Sequence, residues 1–325
     1  MNKNKNYGFV ERLSEKFPSQ VMVDMTEVCN LACIHCAHPK FKKSTVYGKR
    51  MLDPKLNKKM IKEVSTIGRG TTKYIRYTSN GEPLVHPKSY DMIQDAVENS
   101  HTKVTLTTNG TLLNEKRMSK LLKTGLHMID ISTDAASNET YKKIRVGGDL
   151  NITQLNILKL LRLRKEFNAK TKIIVSFVEQ KENTHEVNDF KKFWDNQDVD
   201  EVLIRKLHSN SGSNFGGELD ENDNEEKKRR PCLYPWERVV LNARGQLAFC
   251  PTDWYAKSEI CSYEDNTIEN IWRNSFYKDL RNQHLNNNYK NELCKQCPDW
   301  KNTSWPFDPN KSYADLVEKI LNEEK

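Results

Sequence analysis

From position 21 onward, apolar residues fall into short runs separated by longer amphipathic stretches. Strand-like runs begin near Val21, Lys73, Lys103, His127, Thr171 and Asp200. Between them lie helical patterns over 54–65, 87–99, 114–123, 152–167 and 184–194. The helix starts are signalled locally. Asp53 before Pro54 reads as N-cap and first helical residue, and Asn114 leads Glu115 into the third helix. Strands alternating with helices of this length predict an α/β fold with a parallel sheet. Six such units are too few to close an eight-stranded barrel.

After His208 the pattern stops. Positions 209–217 are rich in Ser, Asn and Gly, and 218–230 are almost wholly charged and polar, which predicts an exposed linker. Beyond it, Val239-Val240-Leu241-Asn242 and Gln246-Leu247-Ala248-Phe249, split by Ala243-Arg244-Gly245, predict a β-hairpin. Positions 311–325 read as an amphipathic helix with Tyr313, Leu316, Ile320 and Leu321 near one face. The divisions are therefore an N-terminal segment (1–20), a core (21–208), a polar linker (209–230), a second domain (231–305) and a terminal helix (306–325).

Composition narrows the class. The 325 residues give room for two domains, or one large domain with an appendage. The longest apolar stretch, 173–178, is far too short to span a bilayer. Residues 1–6 are basic and polar and lead into no apolar region of the export type. The net charge of +8 comes from Lys dispersed among Asn and Glu, which predicts solvated helix faces rather than a nucleic-acid surface. The expectation is a cytoplasmic protein with neither nucleic acid nor membrane as partner.

The eight cysteines change the picture most. Cys29, Cys33 and Cys36 follow the first strand with three and then two residues between them, close enough for three thiolates to wrap one metal centre. Structural zinc sites close with four ligands, as iron–sulfur clusters usually do, so a set of three leaves a coordination position open for chemistry. Spacing alone leaves zinc and iron–sulfur both open. Cys232 and Cys250, with seventeen residues between them, and Cys294-Lys295-Gln296-Cys297 supply four more ligands, enough to close a shell. By spacing, these too fit either a zinc ribbon or a cluster.

Further motifs sit at strand ends. Ser79-Asn80-Gly81-Glu82-Pro83 follows the second strand, and Thr107-Thr108-Asn109-Gly110 ends the third. Met128-Ile129-Asp130-Ile131-Ser132-Thr133-Asp134 places Ser132 and Asp134 at the end of the fourth, and Arg145 follows a short helix. Ligands in open parallel sheets bind at these carboxyl ends.

With the three cysteines, these segments in this order resemble the radical S-adenosylmethionine (radical SAM) enzymes. The second segment is similar to the family's Gly-Gly-Glu-Pro, with Asn80 in place of the first Gly. The resemblance implies an open six-stranded (β/α)6 partial barrel, with a small C-terminal β-hairpin and helical iron–sulfur domain. It implies a [4Fe-4S] cluster on Cys29, Cys33 and Cys36 that binds S-adenosyl-L-methionine (AdoMet) at its open iron. It further implies AdoMet contacts from His35, where the family has an aromatic side chain against AdoMet, from Gly81 and Glu82 toward the ammonium, and from Asn109. Ser132 and Asp134 would face the ribose hydroxyls, and Arg145 the methionine carboxylate.

After such a core, the spacing of Cys232, Gly245 and Cys250 resembles the SPASM/twitch extension. This implies an auxiliary [4Fe-4S] cluster on Cys232, Cys250, Cys294 and Cys297, one cluster in the shorter twitch form. An external one-electron donor of flavodoxin or ferredoxin type would reduce the first cluster. AdoMet cleavage would then yield methionine and a 5′-deoxyadenosyl radical that takes a hydrogen atom from a substrate C–H. If the second electron passes to the auxiliary cluster with loss of a proton, the product is oxidised, as from alcohol to ketone. If a thiol returns hydrogen from the opposite face, the carbon is epimerised. Cys261 is the cysteine left over. It is either a small buried hydrophobe or that thiol donor at the active site. Trp236, Trp254, Tyr255, Tyr263 and Trp272 read as core.

The stretch before Val21 is too short for a peptide-leader-binding domain. That favours a small polar substrate, such as a sugar or aminocyclitol, over a ribosomal peptide modified by a SPASM maturase. A zinc-binding scaffold without enzymatic activity is the non-catalytic alternative.

Overall fold

Six parallel strands and the helices between them build the core. The computed structural model describes residues 14, 16–78, 80–207, 209–213, 229, 231–301 and 313–322. The strands are β1 (Gln20–Val23), β2 (Tyr74–Tyr77), β3 (Lys103–Thr108), β4 (Met128–Ser132), β5 (Lys172–Glu179) and β6 (Glu201–Lys206). They pair in parallel and in sequence order, which is the open arrangement of a partial barrel. The helices of this half are α1 (His38–Phe41), α2 (Pro54–Thr66), α3 (Ser89–Asn99), α4 (Glu115–Lys123), α5 (Asn138–Ile144), α6 (Leu150–Glu166) and α7 (Val187–Asp195).

Caps set the helix ends. Asp53 accepts from Lys55 N, Asn114 from Arg117 N and Asp149 from Asn151 N, each stabilising a helix by ~1 kcal/mol. Asp149 starts α6 two residues before the apolar pattern indicates.

Strand alternation divides the sheet into two faces. Val21, Val23, Ile75, Tyr77, Val104, Leu106, Ile129, Ile131, Ile173 and Val175 join the helix-covered core. The opposite face lines the barrel interior and carries Met22, Arg76, Thr105, Thr107, Asp130 and Ser176.

The C-terminal hairpin is part of the same sheet. β7 (Arg238–Leu241) pairs in parallel with β1, β8 (Gln246–Ala248) returns antiparallel, and β9 (Glu259–Ser262) completes the order β6-β5-β4-β3-β2-β1-β7-β8-β9. The hairpin pattern was legible in the sequence; its annealing to the edge of β1 was not. The remaining helices are α8 (Tyr234–Glu237), α9 (Ile268–Arg273), α10 (Ser275–Leu285), α11 (Glu292–Gln296) and α12 (Tyr313–Asn322). Val317 and Ile320 of α12 pack on Tyr74, Met128 and Ile174, which closes the floor of the barrel with apolar side chains. Trp236, Trp254, Tyr263 and Trp272 are buried, and Tyr255 is half-buried.

Most of the predicted linker lies outside the described residues, but its start differs from expectation. Ser209 and Ser211 are buried because Asp299 accepts from both backbone N–H groups at 2.8 Å. No helix among the described residues is long and apolar enough to cross a membrane.

Candidate active site

The chain leaving β1 forms the cysteine loop, and three neighbouring elements moor it. Glu82 N donates to Val28 O at 2.9 Å, tying the loop to the end of β2. Asn109 Nδ2 donates to Asn30 Oδ1 at 3.0 Å, and Asn30 Nδ2 to Thr111 Oγ1 at 2.8 Å, tying it to the end of β3. Ala32 N and Ile34 N donate to Val146 O and Ile144 O, both at 2.9 Å, tying it to the end of α5.

Gly81 makes the first mooring possible. A Cβ there would lie 2.3 Å from Thr26 O and 2.6 Å from Val28 O. The close approach that a Gly permits is thus to the loop's own backbone. Asn80, beside it, donates to Asp253 O at 3.3 Å and so reaches the C-terminal half.

The three thiols are held within electrostatic reach of one another. Burial, followed by repulsion from Glu82 and Cys33, pushes Cys29 up to about 11; burial, followed by Cys33 and Cys29, pushes Cys36 up to about 12; Cys33 is raised by burial as well. Buried thiols of this kind shed their protons only to a cation bound among them, which is the chemistry of metal ligands.

Glu82 is buried at the end of β2. Its Oε1 accepts from Thr108 Oγ1 at 2.6 Å and Leu84 N at 3.1 Å, and its Oε2 from Asn109 N at 2.8 Å. Burial raises its carboxyl in spite of these donors. The side chain therefore couples the ends of β2 and β3, with Asn109 as part of the same unit.

Asp134 and Arg145 form a second buried pair. Arg145 Nε and Nη2 donate to Asp134 Oδ2 at 2.8 and 2.5 Å, and Val178 N donates to Oδ1 at 2.7 Å. Asp134 has φ of 60°, a region that an L-residue occupies only when its surroundings hold it there. Burial opposes the charge on Arg145, but Asp134 more than offsets this, and Cys33 lies in its field. His35 Nε2 is 3.5 Å from Asp134 Oδ2, and burial pushes the ring down to about 4. Ser132, half-buried, sits 3.5 Å from Ser176 Oγ on the inner wall. The structure thus gathers His35, Gly81, Glu82, Asn109, Asp134 and Arg145 around the cysteine loop, while Ser132 ends β4 two residues before Asp134 and contacts Ser176 on the inner wall. Asn30, Thr108 and Thr111, which sequence reasoning missed, join them. The Asx turn in which Asn109 Oδ1 accepts from Thr111 N at 3.0 Å was the available signal for Thr111.

Cys232, Cys250, Cys294 and Cys297 line one cavity of about 50 Å³ with Ser211, Thr252 and Asp299. Burial pushes Cys250 to about 11 and Cys294 to about 12, and raises Cys232 and Cys297. Cys250 Sγ lies 3.4 Å from Ser211 Oγ and 3.3 Å from Thr252 Oγ1, both able to donate to a thiolate. Among the described residues, no three His, Cys, Asp or Glu side chains converge as ligands of a single ion would. Four buried thiols around one cavity are enough ligands to close the shell of a metal centre.

Cys261 is not brought to either place. Cross-strand register sets Val23 against Leu241, Leu241 against Leu247 and Leu247 against Cys261, so all four share one face. Val23, Leu241 and Leu247 belong to the helix-covered core, and Cys261 packs against it. The thiol points away from the barrel interior, toward α2, where Lys59 and Asp265 lie in its field.

Comparison with known proteins agrees with this geometry. The Radical SAM superfamily profile matches residues 23–190, and that of SPASM, an iron-sulfur cluster-binding domain, matches 232–298. The chain belongs to the Radical SAM superfamily. Its cofactors are accordingly a [4Fe-4S] cluster with AdoMet and auxiliary iron–sulfur in the C-terminal region. It is 32% identical over 141 residues to a probable GTP 3',8-cyclase of Methanococcus maripaludis (strain C5 / ATCC BAA-1333), covering 43% of this chain and 45% of that protein. The chain spans about half the length of the curated relatives it matches. In fold it is similar to BtrN in complex with AdoMet and 2-DOIA (TM-score 0.57, 18% identity, 88% of this chain and 94% of that one). It is also similar in fold to Streptococcus suis SuiB bound to S-adenosylmethionine (TM-score 0.63, 13% identity, 88% and 72%).

Proposed function

We propose that this radical SAM enzyme removes a hydrogen atom from a C–H bond of a small polar substrate inside the barrel and releases it oxidised by two electrons. The observation that carries the choice of oxidation over epimerisation is the register placing Cys261 on the helix-covered face. With the other seven cysteines assigned to the two clusters, no cysteine is left to return hydrogen to the substrate. The polar inner wall supports a small hydrophilic substrate, of sugar or aminocyclitol type.

Cys29, Cys33 and Cys36 hold the first cluster, and Cys232, Cys250, Cys294 and Cys297 one auxiliary cluster of the twitch kind. When bound, these groups and AdoMet supply hydrogen-atom abstraction and a one-electron acceptor, with a flavodoxin- or ferredoxin-type protein as the reductant. The chain's own residues position and enclose. Arg145, oriented by Asp134, offers its guanidinium to the AdoMet carboxylate, and Glu82 gives the ammonium a fixed carboxylate. His35, held neutral, lies beside this pair without adding charge. Ser132 reaches the level of the ribose from the inner wall. The apolar floor under α12 closes the far end of the barrel to water.

Anaerobic reconstitution should load about eight irons per chain with broad absorption near 400 nm (roughly). Products from a panel of sugars and aminocyclitols in deuterated water should be carbonyl compounds, two hydrogens poorer than the substrate. An inverted carbon bearing one solvent deuterium would instead establish epimerisation and overturn the oxidation.

A further inference from the structure

Beside the second cysteine set stands a pair of hydroxyls whose hydrogens can be counted. Ser211 Oγ and Thr252 Oγ1 lie 2.5 Å apart, and they sit 3.4 and 3.3 Å from Cys250 Sγ. Two hydroxyls carry one hydrogen each, and a thiolate carries none. One hydrogen must lie between the two oxygens, which would otherwise repel at this separation. The other then points at a cysteine sulfur, whichever oxygen holds it. Burial pushes Cys250 up to about 11, and the leading opposition comes from hydrogen bonds of these two side chains. At Cys297 burial again raises the thiol, and Ser211 is among the groups that oppose it.

The backbone that delivers Ser211 is strained. Asn210, Ser211 and Gly212 have φ of 52°, 55° and 85°, three left-handed residues in succession, of which only the Gly adopts this region freely. Asp299 holds the turn, accepting from Ser209 N and Ser211 N at 2.8 Å each and from Ser209 Oγ at 2.6 Å. Gly212 N adds a bond to Ser209 Oγ at 2.9 Å. Asp299 stands two residues after Cys297, so the segment carrying one cysteine of the set fixes the hydroxyl that faces another. Strain of this kind persists only where the surroundings impose it, and it gathers at functional positions.

We propose that Ser211 and Thr252 act as one interchangeable hydrogen-bond donor to the cysteine sulfurs of the auxiliary cluster and raise its reduction potential. This rests on the reading that Cys232, Cys250, Cys294 and Cys297 hold that cluster. Reduction adds negative charge to the sulfurs, so a hydrogen bond to them stabilises the reduced form more than the oxidised one. The pair thereby favours the step in which a substrate radical gives one electron to the cluster and its hydroxyl proton to water, leaving a carbonyl. Its role is to set the potential of the acceptor.

The test is a redox titration of the anaerobically reconstituted chain, followed by electron paramagnetic resonance, with the auxiliary signal recognised as the one AdoMet does not perturb. Ser211→Ala and Thr252→Val should each shift the potential little, since the remaining hydroxyl turns to the sulfur. The double variant should shift it negative by more than the two single shifts added, and by about 59 mV or more, a tenfold change in a one-electron equilibrium. Ser211→Ala with Thr252→Ser keeps one hydroxyl and should stay near the wild type. A second measurement needs only wild-type protein, and it decides the matter if the double variant sheds its cluster. After brief transfer to deuterated water, when hydroxyls but not protected amides have exchanged, electron–nuclear double resonance should show a deuterium coupled to the reduced auxiliary cluster. A double shift no larger than the sum of the singles, or no such deuterium, overturns the tuning role. Either result from protein holding about eight irons leaves the cluster reading standing. Zinc at the second site overturns both.

Discussion

Arg244, in the turn of the C-terminal hairpin, donates from Nη1 to Glu27 Oε1 at 2.9 Å, across 217 positions of sequence. Glu27 lies two residues before Cys29. Its carboxylate also accepts from Gly48 N at 2.8 Å and from Arg50 N and Nη1, both at 3.1 Å. Arg244 in turn donates through Nε to Glu259 Oε1 at 2.5 Å. The hairpin that carries Cys250 thus braces the loop that carries the first cysteine triad. Aromatic packing adds to the brace: Trp254 meets Phe41 edge-on with ring centroids 5.5 Å apart, just after Cys36. The two cysteine-bearing segments are thereby tied to each other through side chains.

Arg244→Met should loosen the N-terminal site from a distance. Glu27 has only 2% of its side chain exposed, and losing one of its two guanidinium partners leaves charge poorly compensated. Other donors remain, so the expected cost is about 1–3 kcal/mol. In a Cys250→Ala background, where iron reports the first site alone, a chelator should strip iron faster from the Arg244→Met protein. Equal stripping rates would show that the bridge does not support the loop.

Gly81→Ala tests the loop's closest contact. The added Cβ would meet two backbone carbonyls at 2.3 and 2.6 Å, and neither can rotate away. The Glu82 N to Val28 O bond must then lengthen or break, for a cost of about 3 kcal/mol or more. The variant should lose iron at the first site and keep it at the second, so reconstitution should give about four irons. A full complement of iron, with normal AdoMet binding, would falsify this account of Gly81.

Much of this site was legible before the structure. Each functional segment follows an apolar run, so strand periodicity placed Cys29, Glu82, Asn109, Ser132 and Asp134 at one end of the sheet. The caps at Asp53 and Asn114 are local signals, and they hold. Relationships spanning long separations left no such trace. The parallel pairing of β1 with β7 joins Gln20 to Arg238 through backbone hydrogen bonds that any side chains could make. Arg76, Asp130 and Arg205 share no motif and meet only because their strands share a face. Cys261 illustrates the same limit. Its surroundings depend on β9, a strand of four residues whose alternation is too short to read, and on a register passed through three strand pairs. Ser209 and Ser211 were read as exposed from composition, which carries no information about Asp299.

Stability should depend on pH through His127, at the entry to β4. Its Nδ1 accepts from Val104 N at 3.1 Å, a bond available only to the neutral ring. Burial, helped by the charge of Lys103, pushes it down to about 4 from an ordinary 6.5. The unfolded chain takes up a proton below about pH 6.5 that the folded chain refuses until about pH 4. The stabilising contribution is therefore complete above 6.5 and declines as the pH falls through that window. His127→Asn keeps an acceptor for Val104 without the titration. Its melting temperature should fall less than that of the wild type between about pH 7 and about pH 5. Parallel pH profiles would assign the acid sensitivity elsewhere.

Cys261→Ala separates the two chemistries open to this family member. The thiol shares a face with Leu247, Leu241 and Val23 and packs against the helix layer. Burial raises it, followed by the nearby Asp265, so it is a protonated, neutral side chain in ordinary conditions. Removing one sulfur from a half-buried position should cost about 1 kcal/mol or less, because the edge strand can relax around it. Both clusters should load fully, and 5′-deoxyadenosine and oxidised product should form at the wild-type rate and in equal amounts. Should the variant cleave AdoMet yet stall without product, Cys261 would be the hydrogen donor after all. The strand carrying it would then have to turn its face during turnover. A register shift of one residue in β9 is the movement that could achieve this, and hydrogen exchange confined to residues 259–262 would reveal it.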